Sequence, residues 1–343
     1  MTRYWSPSRV AAAIVPVAIA LAVNGAFSAD PIPPTTVQLD HDEAGDQDDL
    51  CIWRNAKDPA RSLIITSDKK ANLIAVYTLQ GELLQKLSVP KPGNIDLRNN
   101  IRSGDENLDV VVVNQRSDGW KLAVFVVNQE TLRLERWDRD NLSTGPNYGL
   151  CLYHSRVSGL LHAVITSELG TIEQYALTIG AKGDVSMKRV REWKIGKSEG
   201  AVADDELGRL YISEEESGVW ELGAEPDQPA PGELVIRLGE HGLKPDLEGI
   251  TLLHRGEHKG YLLLSSQGQS RFFVFERMGS HRYLGDFGID GVIDTDGIDV
   301  TGEPLGEDFP HGLFGCHNAA TKRCSVWLVP WEKISKQLDL ESR

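Results

Sequence analysis

Six stretches of β-forming residues, each ending in a polar turn, recur along this chain about every 50 residues. They are LIITS at 63–67, VVVVN at 110–114, HAVITS at 162–167, LYIS at 210–213, YLLLSS at 261–266 and GLFGC at 312–316. Their last residues lie 47, 53, 46, 53 and 50 positions apart. Each is followed by a turn and a further β-rich run, and only residues 331–340 read as a short helix. An all-β chain of repeated units exposes strand edges unless the units close on one another. A ring of sheets does this, so the period predicts a six-bladed β-propeller. A β-sandwich or two separate β domains would not need so even a spacing, and no linker divides the middle of the chain. Residues 36–40 are expected to add an outer strand to the last blade and lock the ring.

A second period lies inside the first. Glu199-Gly200, Glu248-Gly249 and Asp296-Gly297 are acidic-glycine pairs 49 and 48 residues apart, and Tyr148-Gly149 holds the matching place in the third unit. Equivalent positions of successive blades lie on a ring around one axis, so these carboxylates would face each other across a small space. Like charges converge at a cost that a bound cation removes. Asp246 and Asp294, each two residues before a ring acid, share its face if the segment is extended.

The turns after the middle strands supply another ring: Lys69, Lys70, Gln115, Arg116, Glu168, Glu214, Glu215, Gln267 and His317. Cations occupy its early members and carboxylates the later ones. Such a split suits an anion bound beside a metal, with cations on the anion's oxygens and carboxylates on the metal. The acids are oxygen donors, which points to calcium or another hard cation. The run from Asp290 through Asp294, Asp296 and Asp299 lacks the twelfth-position glutamate of an EF-hand, so its acids are read as ligands within a propeller loop.

Composition narrows the classes further. Arg3 and Arg9 precede an apolar stretch at 10–23 and small residues at 26–29, so residues 1–29 read as a cleaved export signal, cut after Ser28 or Ala29. The stretch is short for a membrane anchor and holds Pro16. Loss of the signal's two arginines takes the formal net charge from −14 to −16. That surface argues against nucleic acid, whose phosphates it would repel, and favours cations or anions escorted by them. Residues 30–343 are expected to form one domain, soluble after cleavage and monomeric by default, in the periplasm or outside the cell. Of four cysteines, Cys51 and Cys151 read as buried thiols, while Cys316 and Cys324 flank a hairpin and could pair. No C-x-x-C, G-x-S-x-G, P-loop or dinucleotide fingerprint occurs.

Several motifs together resemble the β-propeller phytases: DDLCIW at 48–53, NIDLR at 94–98, LYHS at 152–155, EGAVADDE at 199–206, DLEG at 246–249, SSQG at 265–268 and DTDGIDV at 294–300. The resemblance covers residues 40–335. It implies an exported, calcium-dependent enzyme that removes phosphate from phytate, with a calcium–phytate complex as substrate. It also implies several calcium ions, with Asp48, Glu199, Glu215, Asp246, Glu248 and Asp296 as active-site ligands and Tyr153 beside them. Asp49 and Asp290 resemble ligands of structural calcium, and Lys69, Lys70 and Arg116 resemble phosphate-gripping residues. The chain departs from the family pattern at Leu50, Cys51 and Gly93. At the third-blade turn the family usually places a phosphate-binding lysine and this chain has Glu168, which implies weaker phytate affinity or a taste for less phosphorylated esters. Two other readings share the fold: a lactonase-like metal hydrolase, which needs no basic half-ring, and a non-catalytic propeller that binds calcium or phosphate esters.

Overall fold

Buried side chains on both faces of each blade's second strand require each sheet to be covered twice, and a ring of sheets meets that need. A computed structural model describes residues 1–2, 30–33, 37–320 and 325–340. Residues 3–29, the body of the expected export signal, and Cys324 lie outside the described residues, so neither cleavage nor a Cys316 pairing is addressed. Cys51 and Cys151 are buried free thiols, and Cys316 is buried.

Six antiparallel sheets follow one another along the chain. The first blade runs Gln47–Trp53, Leu63–Asp68, Leu73–Thr78 and Leu83–Ser88 from the axis outward. The inner strands of the other blades are Pro92–Ser103, Leu150–His154, Ser198–Asp204, Leu247–His254 and Ile298–Thr301. Each inner strand contacts the next, and the sixth contacts the first, so the ring is closed. Every expected middle strand is the second strand of its blade. The second blade is irregular: Arg133–Arg136 and Leu142–Ser143 both pair with Lys121–Asn128. The expected helix forms as Trp331–Gln337.

The core is divided into six hydrophobic clusters, one in each gap between neighbouring blades. Strand alternation explains the division, because successive side chains point to opposite sheet faces. Ile65 packs toward the second blade with Val111 and Phe125, while its neighbour Ile64 packs toward the sixth with Leu313 and Leu328.

Val37–Leu39 closes the ring. It pairs antiparallel with Ser325–Pro330, in register Val37 with Leu328 and Leu39 with Val326, and forms the outer strand of the sixth blade. Leu39 is fully buried, and Ile32 is buried in the cluster between the fifth and sixth blades. Their burial contributes about 3–6 kcal/mol together. Deleting residues 30–42 is expected to lower the melting temperature by at least about 5 °C in a calorimetric scan. An unchanged transition would refute the locking role.

Candidate functional site

Because each blade is the same antiparallel meander, the inner strands all enter at one end of the axis. Four are bulged there: pairing slips between Gln47 and Asp49, Pro92 and Ile95, Ser198 and Ala201, and Leu247 and Ile250. A bulge bends its strand and re-aims a side chain. Asp48, Glu199 and Glu248 sit in these slips. The glycines after the acids are there for a steric reason: a side chain on Gly200 would run into the Glu248 carbonyl oxygen. Gly249 donates its N–H to the Asp296 carbonyl at 3.1 Å, and Gly297 to the Asp48 carbonyl at 3.0 Å. The acidic-glycine pairs are thus the points where neighbouring inner strands touch.

Glu199 and Glu248 line a cavity of about 390 Å³ with Glu215, Asp246 and Asp296. Lys69, Lys91, Arg116 and Lys197 line the same cavity, with Tyr148 and Gln267. Lys69 Nζ stands 2.5 Å from Asp48 and 3.5 Å from both Asp46 and Asp296. Arg116 pairs with Glu199, lies 3.6 Å from Asp48, and stacks its guanidinium 4.7 Å from the Tyr148 ring centre. Lys197 Nζ reaches Glu215 at 2.7 Å and stands 5.3 Å from the same ring centre.

The acids outnumber the cations that neutralise them, and their protonation reflects it. Burial, reinforced by Glu199, pushes the Glu248 carboxyl well up. Burial, opposed by His317 and aided by Asp48, pushes Asp296 up to about 7. Burial raises Glu215 against the pull of Lys197. For Asp48, burial is outweighed by Arg116 and Lys69, which hold the carboxyl below its ordinary range.

The arrangement suits a hard divalent cation. Asp48 Oδ2, Glu215 Oε1 and Glu248 Oε2 are buried without a hydrogen-bond partner among the described residues, and such orphaned oxygens are costly unless something else meets them. Asp46, Asp296 and His317 also bring ligand atoms within 4.8 Å of one another.

Of the residues singled out from the sequence, the structure gathers Asp48, Lys69, Arg116, Glu199, Glu215, Asp246, Glu248 and Asp296 at this mouth. Lys70 stands at its edge, mostly exposed, 3.3 Å from Asp46. Tyr153 is not beside the acids: its hydroxyl donates to Glu225 at 2.6 Å, and Tyr148 is the tyrosine in the cavity. Tyr153 lies five residues further along the chain than Tyr148, within an extended inner strand that carries it away from the mouth. Asp49 points off the cluster, its Oδ2 accepting the Ile95 N–H at 3.0 Å. Asp290 is exposed in a turn beside Ile32, apart from the mouth.

Asp46, Lys91 and Lys197 were not singled out. For Asp46 and Lys197 a signal existed: each lies two residues before a bulge acid, Asp48 or Glu199, as Asp246 lies before Glu248. Lys91 has no counterpart spacing and is brought in by the connection between the first two blades.

The phytase family profile matches residues 7–342. This chain belongs to the phytase family. A 3-phytase of Bacillus subtilis (strain 168) is 37% identical over 309 residues, 85% of this chain and 81% of that protein. Among solved structures, a luciferin-regenerating enzyme superposes with a TM-score of 0.55 at 14% identity, covering 85% of this chain and 94% of its own. A calcium-binding protein, regucalcin from Agrobacterium tumefaciens, gives 0.54 at 11% identity, covering 88% and 97%. At these identities the two structures speak for the fold alone. The motifs at 48–53, 199–206, 246–249, 265–268 and 294–300 each bring a residue to the mouth, whereas LYHS at 152–155 does not.

Proposed function

We propose that the protein hydrolyses phosphate monoesters of phytate, with several calcium ions held at the channel mouth. The observation that carries the reading is that carboxylates and cations line one cavity together. A metal site alone would not need Lys69, Lys91, Arg116 and Lys197, and a phosphate site alone would not gather the acids.

Asp48, Glu199, Glu215, Asp246, Glu248 and Asp296 are the residues that would hold calcium. Calcium bound there would supply Lewis-acid neutralisation of phosphate charge. Arg116 and Lys69 are held at the cavity by ion pairs with Glu199 and Asp48, so their charges stand where an entering phosphate would meet them. Arg116 offers its planar fork to two phosphate oxygens and is steadied by the Tyr148 ring. Lys69 carries a point charge that burial opposes and Asp48 sustains. A polyanion meets repulsion from this acidic protein, and a calcium–phytate complex removes it. The leader's charge pattern supports export, and among the described residues no helix is long and apolar enough to cross a membrane.

The test is phosphate release from phytate in a calcium titration at neutral pH. Release that rises with calcium and stops with chelator is expected. Absence of release at every calcium concentration would overturn the reading.

A further inference from the structure

The first blade brings its carboxylates and its cations to the mouth on two separate pieces of chain. Residues 40–46 join the ring-closing strand Val37–Leu39 to the inner strand Gln47–Trp53, so Asp46 ends this loop and Asp48 follows it. Lys69 and Lys70 lie in the turn after the second strand. Asp68, the last residue of that strand, is fully buried between the two pieces.

Asp68 bonds to both. Its Oδ1 accepts the N–H of Asp46 at 3.1 Å from the loop, and those of Lys70 at 3.1 Å and Ala71 at 2.7 Å from the turn. Its Oδ2 accepts the Gly45 N–H at 2.9 Å. The bonds to Lys70 and Ala71 are those that an aspartate makes in an ordinary turn. The bonds to Gly45 and Asp46, 23 and 22 residues earlier in the chain, are not. Loop and turn lie so close that a side chain on Gly45 would stand 2.8 Å from Lys70 Cβ, and the Lys69 N–H donates to the Asp46 carbonyl at 3.0 Å. His41 supports the carboxylate from the loop, its Nε2 3.5 Å from Oδ2 and both side chains fully buried. Burial disfavours the Asp68 charge, but His41 and the chain N–H groups outweigh it and hold the carboxyl below its ordinary range.

We propose that Asp68 is a positioning residue for the mouth: its carboxylate clips the loop before Asp48 to the turn that carries Lys69, so the first blade presents a calcium ligand and a phosphate-facing cation as one unit. The proposal rests on the phytate reading and deepens it. Being buried, Asp68 would meet neither metal nor substrate, and acts through Asp46, Asp48 and Lys69. Lys69 Nζ is 2.5 Å from Asp48 and 3.5 Å from Asp46. A drift of about 1 Å between loop and turn would separate charges that the calcium–phosphate pair must meet together.

The experiment compares wild type with Asp68→Ser, Asp68→Asn and the remote Arg277→Leu at 25 °C. Serine can still cap the turn but is too short to reach the loop. Asp68→Ser is expected to raise the calcium concentration that half-saturates the protein about 10-fold, the lower end of what loss of a supporting partner costs a metal site. Asparagine keeps an oxygen for Asp46, Lys70 and Ala71 and loses the Gly45 bond, so a smaller rise is expected. Titration calorimetry with calcium alone reads the affinity, and KM for phytate is expected to rise in the same order. Arg277→Leu is expected to melt lower than wild type with calcium affinity and KM unaltered. If Asp68 serves stability alone, its variants will behave as Arg277→Leu does. Unaltered calcium affinity in every Asp68 variant that folds would overturn the proposal. If wild type releases no phosphate, the phytase reading fails, and the calcium titrations still decide whether Asp68 sets the mouth.

Discussion

Glu248→Gln is expected to cut kcat for phosphate release from phytate about 100-fold, the upper end of what disturbing a metal's surroundings costs. Glu248 sits in the bulge of the fifth inner strand, 5% exposed, between Glu199 on one side and Asp296 on the other. Its Oε2 has no hydrogen-bond partner among the described residues. Glutamine has almost the same shape, so the strand contact through Gly249 is kept, while the charge that would face a cation is lost. The same change removes a repulsion. Without metal, Glu248 is held among like charges and burial favours its neutral form. The variant is therefore expected to melt higher than wild type in chelator and to gain less from added calcium. Kinetics at saturating calcium and paired thermal scans measure the two effects. Loss of activity with an unaltered calcium-dependent gain in melting temperature would refute Glu248 as a calcium ligand.

Arg277→Leu is expected to lower the melting temperature by about 5–8 °C. Arg277 leaves the third strand of the fifth blade fully buried and crosses to the fourth. Its Nε and Nη2 each donate to Asp204 at 2.6 Å, Nη2 also reaches Glu206 at 2.8 Å, and Nη1 donates to the Lys259 carbonyl at 3.2 Å. Removing the guanidinium leaves Asp204, also fully buried, without its counter-charge. Breaking a buried pair from one side costs about 3–5 kcal/mol, and that converts to the shift given for a protein of this size. Pairing the change with Asp204→Leu is expected to recover part of the loss, because no charge is then stranded. Arg277 is remote from the cavity, so kcat at 25 °C should stay within about 2-fold. A shift below about 3 °C would mean that water reaches Asp204 and the pair holds little.

The ring was readable because its physics is periodic. Alternating apolar strands, a turn at each end and a return every 50 residues leave few ways to hide the edges. The second blade's outer pairing was not readable, since Arg133–Arg136 and Leu142–Ser143 are too short to carry a pattern. At the mouth, the acids could be placed together because a ring maps equal sequence intervals onto one circle. Tyr153 was misplaced because the resemblance drew the eye to LYHS, while Tyr148 already occupied the ring position beside its glycine. Lys197 escaped because the two-residue spacing was applied to acids alone, although a strand's alternation takes no account of charge. Lys91 in the cavity lining, and Glu168 exposed and outside it, depend on how a connection folds over the rim, which no local pattern encodes.

The strand that closes the ring also dates its completion. Val37–Leu39 comes near the start of the chain and pairs with Ser325–Pro330 near the end. A chain emerging from its N-terminus must carry this strand unpaired until nearly everything else has appeared, so the last seam forms after the last blade. Contacts so distant in sequence close slowly. The cavity lies on the axis of that ring, with the sixth blade's Asp296 facing the first blade's Lys69. A partly emerged chain therefore has half a mouth, and the full set of carboxylates comes together only when the two ends meet.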